Sequence, residues 1–175
     1  MDLSYNTTFS DRSASSDRSI LLTQGITPFA QRIAARYLPQ WKVVFASSAD
    51  IPQPLLDAGR HVLIPNPNHA SFIHELLKIC LSQQVGYLLP LDREEATVLS
   101  GAKVLFQEYG IEVLVSDPEI RGELPVMLQP PRGLDLVIMS KGEELAPASG
   151  MKKMNEQYSG VFCFNDDGEG FQCYT

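Results

Sequence analysis

From Ser19 onward the apolar positions fall into two alternating rhythms. Compact aliphatic runs occur at ILLT (20–23), WKVVFAS (41–47), HVLIP (61–65), VGYLLPL (85–91) and IEVLVS (111–116). Continuous runs of this length, bounded by glycine, proline or polar residues, predict strands buried on both faces. Between them apolar residues recur at helical spacing. Thr27 then Pro28 supplies a hydroxyl N-cap followed by proline at the first helical position, predicting a helix to about Tyr37 that stops near Pro39. The stretch 49–61, with two prolines and a glycine, predicts a loop or a short turn of helix. Asn68 is expected to cap a helix over 69–84, with Phe72, Leu76, Ile79 and Cys80 on one face. Asp92 is expected to start the next helix. Glu95 follows three residues on in capping-box spacing, and Gly110 ends the helix.

Strands alternating with helices predict an α/β fold: a Rossmann-like, doubly wound parallel sheet of order 3-2-1-4-5 over residues 19–119. After Asp117-Pro118 the rhythm breaks. PVMLQPP, LDLVIMS and GVFCFNDDGEGFQCY predict short strands, the last a β-hairpin with Asp167-Gly168 at its tip. Residues 120–175 are thus expected to form a β-rich extension, too small for a robust domain of its own, packed on the main sheet or on another chain. Residues 1–18 contain SDRS twice, are polar and Ser-rich, and are expected to form a mobile leader.

Composition narrows the function classes. With 175 residues and 44% hydrophobic content the chain can bury a real core. A formal net charge of -7, without a basic cluster, argues against nucleic-acid binding. No run is long and apolar enough to cross a membrane. Cys80, Cys163 and Cys173 lack metal-ligand spacing and are expected to be reduced thiols of a cytoplasmic protein, although a bridge between Cys163 and Cys173 across the hairpin stays open.

The turn Gly25-Ile26-Thr27-Pro28-Phe29-Ala30 matches a dinucleotide fingerprint at its first and last positions only. Thr27 stands where the second glycine would let the backbone approach a pyrophosphate, and Pro28 removes an N–H that an anion could use. The second strand ends in Ala46-Ser47-Ser48 with no ribose-binding carboxylate, and Asp50 comes late. A tight turn joining strand to helix accounts for Gly25, and no cofactor is expected.

An ordered set of segments resembles a known family. ILLTQGITPFAQRIAARYL is followed by HVLIPNPNHASFIHELLKICLSQQVGYLLPLDREEATVL and YGIEVLVSDPE. Together they resemble the domain that precedes the ATP-grasp fold in carbamoyl-phosphate synthetase-like and related carboxylate–amine ligases. The matching elements are Ile20 to Gly25, Pro65-Asn66-Pro67, Leu89 to Glu95 and Val115 to Glu119. The resemblance implies that an ATP-binding module should follow, opening with an Asp-Lys-x-x helix and then a Lys-Pro-Arg strand. No helix of that type is expected after Ser116-Asp117-Pro118-Glu119. Leu124 to Gly133 faintly resembles the Lys-Pro-Arg strand, with Gln129 in the lysine's place, and an amide has no charge to hold phosphate. The family's paired Glu and Asn magnesium ligands have no counterpart before Thr175. The tail reads as a remnant of the ATP-binding region, and the chain alone is not expected to use ATP.

In a doubly wound sheet the ligand crevice lies beyond the ends of the first and fourth strands. That places Gln24, Gly25, Ile26 and Thr27 opposite Asp92, Arg93, Glu94 and Glu95 as the ligand-binding candidates. Helix capping alone also accounts for Asp92 and Glu95. His69 and His74 are five residues apart and share no helix face. The acidic run 165–169 lacks an EF-hand's spaced ligands, and no element supports a nucleophile. Neither a catalytic residue nor a metal ligand is therefore assigned. The sequence supports a non-catalytic module that binds a small ligand, a second copy of itself or an ATP-grasp ligase. The alternative is the substrate-binding subunit of a split ATP-grasp ligase.

Overall fold

The computed structural model describes residues 18–146 and 153–175. The expected leader lies outside the described residues, apart from Arg18. Five parallel strands form the first sheet: β1 (Ser19–Leu22), β2 (Lys42–Ser47), β3 (His61–Leu63), β4 (Tyr87–Leu89) and β5 (Glu112–Val113). Their order is β3-β2-β1-β4-β5. The chain is an α/β protein with the expected Rossmann-like winding.

Period-two alternation divides the strands between two cores. Ile20, Leu22, Val43, Phe45 and Leu89 face one side, and Leu21, Val44, Ala46 and Leu88 the other. The second side is covered by α3 (Phe72–Ser82), α4 (Arg93–Ser100) and α5 (Lys103–Glu108), through Phe72, Leu76, Cys80, Leu99 and Phe106. The first side is covered by α1 (Pro28–Tyr37) and by the tail. A short α2 (Gln53–Asp57) lies before β3.

Two helix boundaries differ from expectation. Asn68 does not cap α3. Ser71 precedes the helix without a side-chain cap, and Asn68 instead donates its amide to Glu94 Oε1 at 3.1 Å. The Pro67–Ser71 segment is spent in tight turns, so the helix starts at Phe72. The single helix expected from Asp92 to Gly110 is two, broken at Gly101-Ala102, where glycine follows serine and helix propensity is lowest. A short helix follows Asp117, α6 (Pro118–Glu123), which opens with proline and has Glu119 in its first turn, so it lacks the Asp-Lys start that the resemblance implies.

The tail builds a second five-stranded sheet from β6 (Val126–Leu128), β7 (Val137–Ser140), β8 (Glu143–Glu144), β9 (Gly160–Phe164) and β10 (Gly170–Tyr174). The order is β6-β10-β9-β7-β8, with only the β6–β10 pair parallel. The expected β9–β10 hairpin turns at Gly168, φ 82°, where Gly168 N donates to Asn165 O. Leu136, Ile138, Val161, Cys163 and Cys173 turn inward and join α1 and the first sheet in one cluster. Val137, Met139 and Phe162 form a smaller cluster on the other face.

Polar ties follow the same seam. Ser116 and Ser159 exchange hydrogen bonds through the Ser116 hydroxyl, Asp117 N donates to Gln157 O, and Arg121 Nη1 donates to Ala96 O at 2.9 Å. The Ser140 hydroxyl donates to Glu112. No helix among the described residues is long and apolar enough to cross a membrane.

Candidate functional site

The β1–α1 turn is closed on itself. Gly25 N donates to Ala46 O at 2.8 Å, drawing the turn onto β2. A Cβ at Gly25 would stand 2.6 Å from Phe45 Cβ and 2.9 Å from the Phe45 carbonyl carbon. Glycine is therefore required here by contact with the neighbouring strand. Thr27 Oγ1 accepts from Ala30 N and donates to Gln24 O, while Gln31 Nε2 donates to Gly25 O at 2.7 Å. These bonds occupy polar groups that a phosphate cradle would need to leave open.

Across the crevice, Asp92 caps α4: its Oδ1 accepts from Glu94 N at 2.8 Å and Glu95 N at 3.1 Å. Glu95 does not complete the capping box. Its side chain runs inward, fully buried, and Oε1 accepts from Gln24 Nε2 at 2.8 Å. Gln24 and Glu95 thus meet across the switch point of the sheet. Gln24 holds a left-handed backbone, φ 55°, which costs a non-glycine residue about 1 kcal/mol or more and is sustained by its surroundings. Thr23, fully buried, accepts from Leu91 N at 2.8 Å and ties the β1 and β4 ends together.

Burial pushes the Glu95 carboxyl up to about 7. The hydrogen bond from Gln24 opposes the rise, and the nearby Asp92 and Glu94 charges add to it. Oε2 is sealed from solvent and has no hydrogen-bond partner among the described residues. Near neutral pH this carboxyl can present either a charged acceptor or a neutral donor.

The remaining candidates spread outward. Ile26 and Arg93 are exposed, Thr27 and Asp92 are half-buried, and Glu94 is exposed and held by Asn68. The sequence did not reveal that Glu95 would face the core, nor that Thr23 and Asn68 would join the crevice. The one available signal was Glu95's place on α4 beside the apolar Ala96 and Leu99, both buried. Among the described residues no group of three or more His, Cys, Asp or Glu side chains is placed to hold a metal. His69 Nδ1 instead contacts Ser71 Oγ at 2.8 Å. All three cysteines are free and buried.

The fold and crevice define a doubly wound α/β protein with a polar pair at its switch point. Compared with known proteins, the chain matches no family model, and no curated protein sequence matches it.

Proposed function

We propose that this chain is a cytoplasmic, non-catalytic module that binds a small polar ligand at the switch point between β1 and β4. The observation that carries the reading is the Gln24–Glu95 pair. A fully buried carboxyl with one unpartnered oxygen is held by a half-buried amide on a left-handed backbone, at the place where doubly wound sheets take ligands. Burying such a group without a partner costs about 1–3 kcal/mol, and a ligand that donates an N–H or O–H to it would recover that cost. The strand order and the ordered sequence segments support kinship with the domain that precedes ATP-grasp modules. The closed β1–α1 turn and Gln129 in the lysine's place support a role that does not consume ATP.

A thermal-shift screen of amino acids and nucleotides tests the proposal, because ligands that bind only the native state raise its melting temperature. A hit whose shift is lost in Gln24→Ala and altered in Glu95→Gln is the expected outcome. A panel without hits, or hits indifferent to both substitutions, overturns the assignment. Tight binding of Mg-ATP in a titration calorimeter would overturn its ATP-free character.

A further inference from the structure

We propose a second ligand site, distinct from the Gln24–Glu95 pair. It is an arginine-lined cavity between α1 and the Gln129–Arg132 turn that takes an anionic oxygen group, carboxylate or phosphate, carried on an apolar body. The cavity has a volume of about 660 Å³, within the range of small-molecule sites. Three of the chain's eight arginines, Arg32, Arg36 and Arg132, line it, together with Thr175 at one wall, and among the described residues no Asp or Glu does. In a protein of net charge -7 that local excess of positive charge runs against the whole.

Each arginine stands differently. Arg32 spans from α1 to the tail, donating Nη1 to Pro131 O at 2.7 Å with its guanidinium 5.3 Å from the Phe29 ring centre. Its Nε and Nη2 are sealed from water without any acceptor among the described residues. Buried guanidinium N–H groups rarely stay unpaired, so an acceptor is what this position lacks. Arg36 is held at the rim by Asp135 at 2.6 Å. Arg132 is exposed and makes no hydrogen bond or ion pair among the described residues. Phe29, Pro28 and Pro130 supply the apolar walls.

A planar fork of donors matches carboxylate and phosphate oxygens in paired hydrogen bonds, which a lysine could not do. A flat apolar body would lie against Phe29 and the prolines. Thr27 lines the same cavity, so α1's positive N-terminal end adds to its preference for anions.

The test is titration of the full chain with benzoate and with phenyl phosphate, read by thermal shift and calorimetry at constant ionic strength. Saturable binding of at least one probe, weakened about tenfold or more in Arg132→Ala and retained in Gln24→Ala, is expected, since hydrogen bonds to charged groups carry that much. Arg132 is exposed, so this variant keeps the fold. The stronger of the two probes identifies the head group. Absence of saturable binding by both, equal affinity in Arg132→Ala, or a response matched by chloride alone overturns the site. Loss of binding in Gln24→Ala with Arg132→Ala unaffected would assign the anion to the switch point and overturn it as well.

Discussion

Glu95 is the side chain on which the crevice turns, and its buried carboxyl makes stability depend on pH. Its native pKa of about 7 lies above the ordinary 4.5, so between those values the native state binds more protons than the unfolded chain. The contribution is therefore full below about pH 4.5, falls as pH rises through 7, and is then lost, a difference on the order of 3 kcal/mol. Glu95→Gln should flatten the stability profile between pH 5 and 8 and leave the variant more stable than the parent at pH 8. Urea unfolding at both pH values measures it, and an unchanged slope would refute the account. At Gly25 the constraint is steric. Gly25→Ala forces a Cβ into Phe45, where backbone atoms block relief, and should cost about 1–3 kcal/mol in the same assay. The need for glycine at this turn was legible in the sequence, whereas its cause was not. The pressing of the turn onto β2 depends on Ala46 O, a partner from a different strand.

Among the elements, those with local signatures were readable. Thr27-Pro28 starts α1 and Asp92 starts α4, because capping involves residues close in sequence. The five parallel strands were readable because each is a bounded aliphatic run. What lay hidden depended on distant neighbours. β10 pairs with β6 across more than forty residues, and β5 leaves its ladder after Val113. β7 and β8 form a two-residue hairpin through Lys141-Gly142, φ 47° and 76°, a mirror-image turn with a weaker signature than Asn-Gly. Gly142 and the Gly168 tip both hold left-handed backbone, but only Gly142 is crowded. Its Cβ would meet Met154 O at 2.4 Å, while nothing lies within 4 Å of Gly168. Gly142→Ala should therefore destabilise more than Gly168→Ala, which should cost about 1 kcal/mol. Chemical denaturation of the two variants side by side checks the order, and equal losses would refute it.

For the molecule as a whole, the tail completes a core that the parallel sheet leaves open on the α1 side. Leu136 and Ile138 are buried among Ile20, Leu22 and Ile33 in one cluster. Unfolding should accordingly be a single transition, with the fluorescence of Trp41, the chain's one tryptophan, coinciding with the loss of far-UV ellipticity. Ile138→Ala should lower stability by about 2–5 kcal/mol while keeping the two signals together. Separate midpoints would show that the sheets come apart independently. The three thiols extend this to slow motions. Burial raises Cys80 to about 12 and pushes Cys173 up too, and Cys163 is equally shut away from solvent, so none should react with a disulfide reagent until its surroundings open. Cys80 sits on one side of the parallel sheet, Cys163 and Cys173 on the other. The natural chain thus carries a chemical stopwatch on each flank, and matched labelling rates would mean that both flanks breathe in one event.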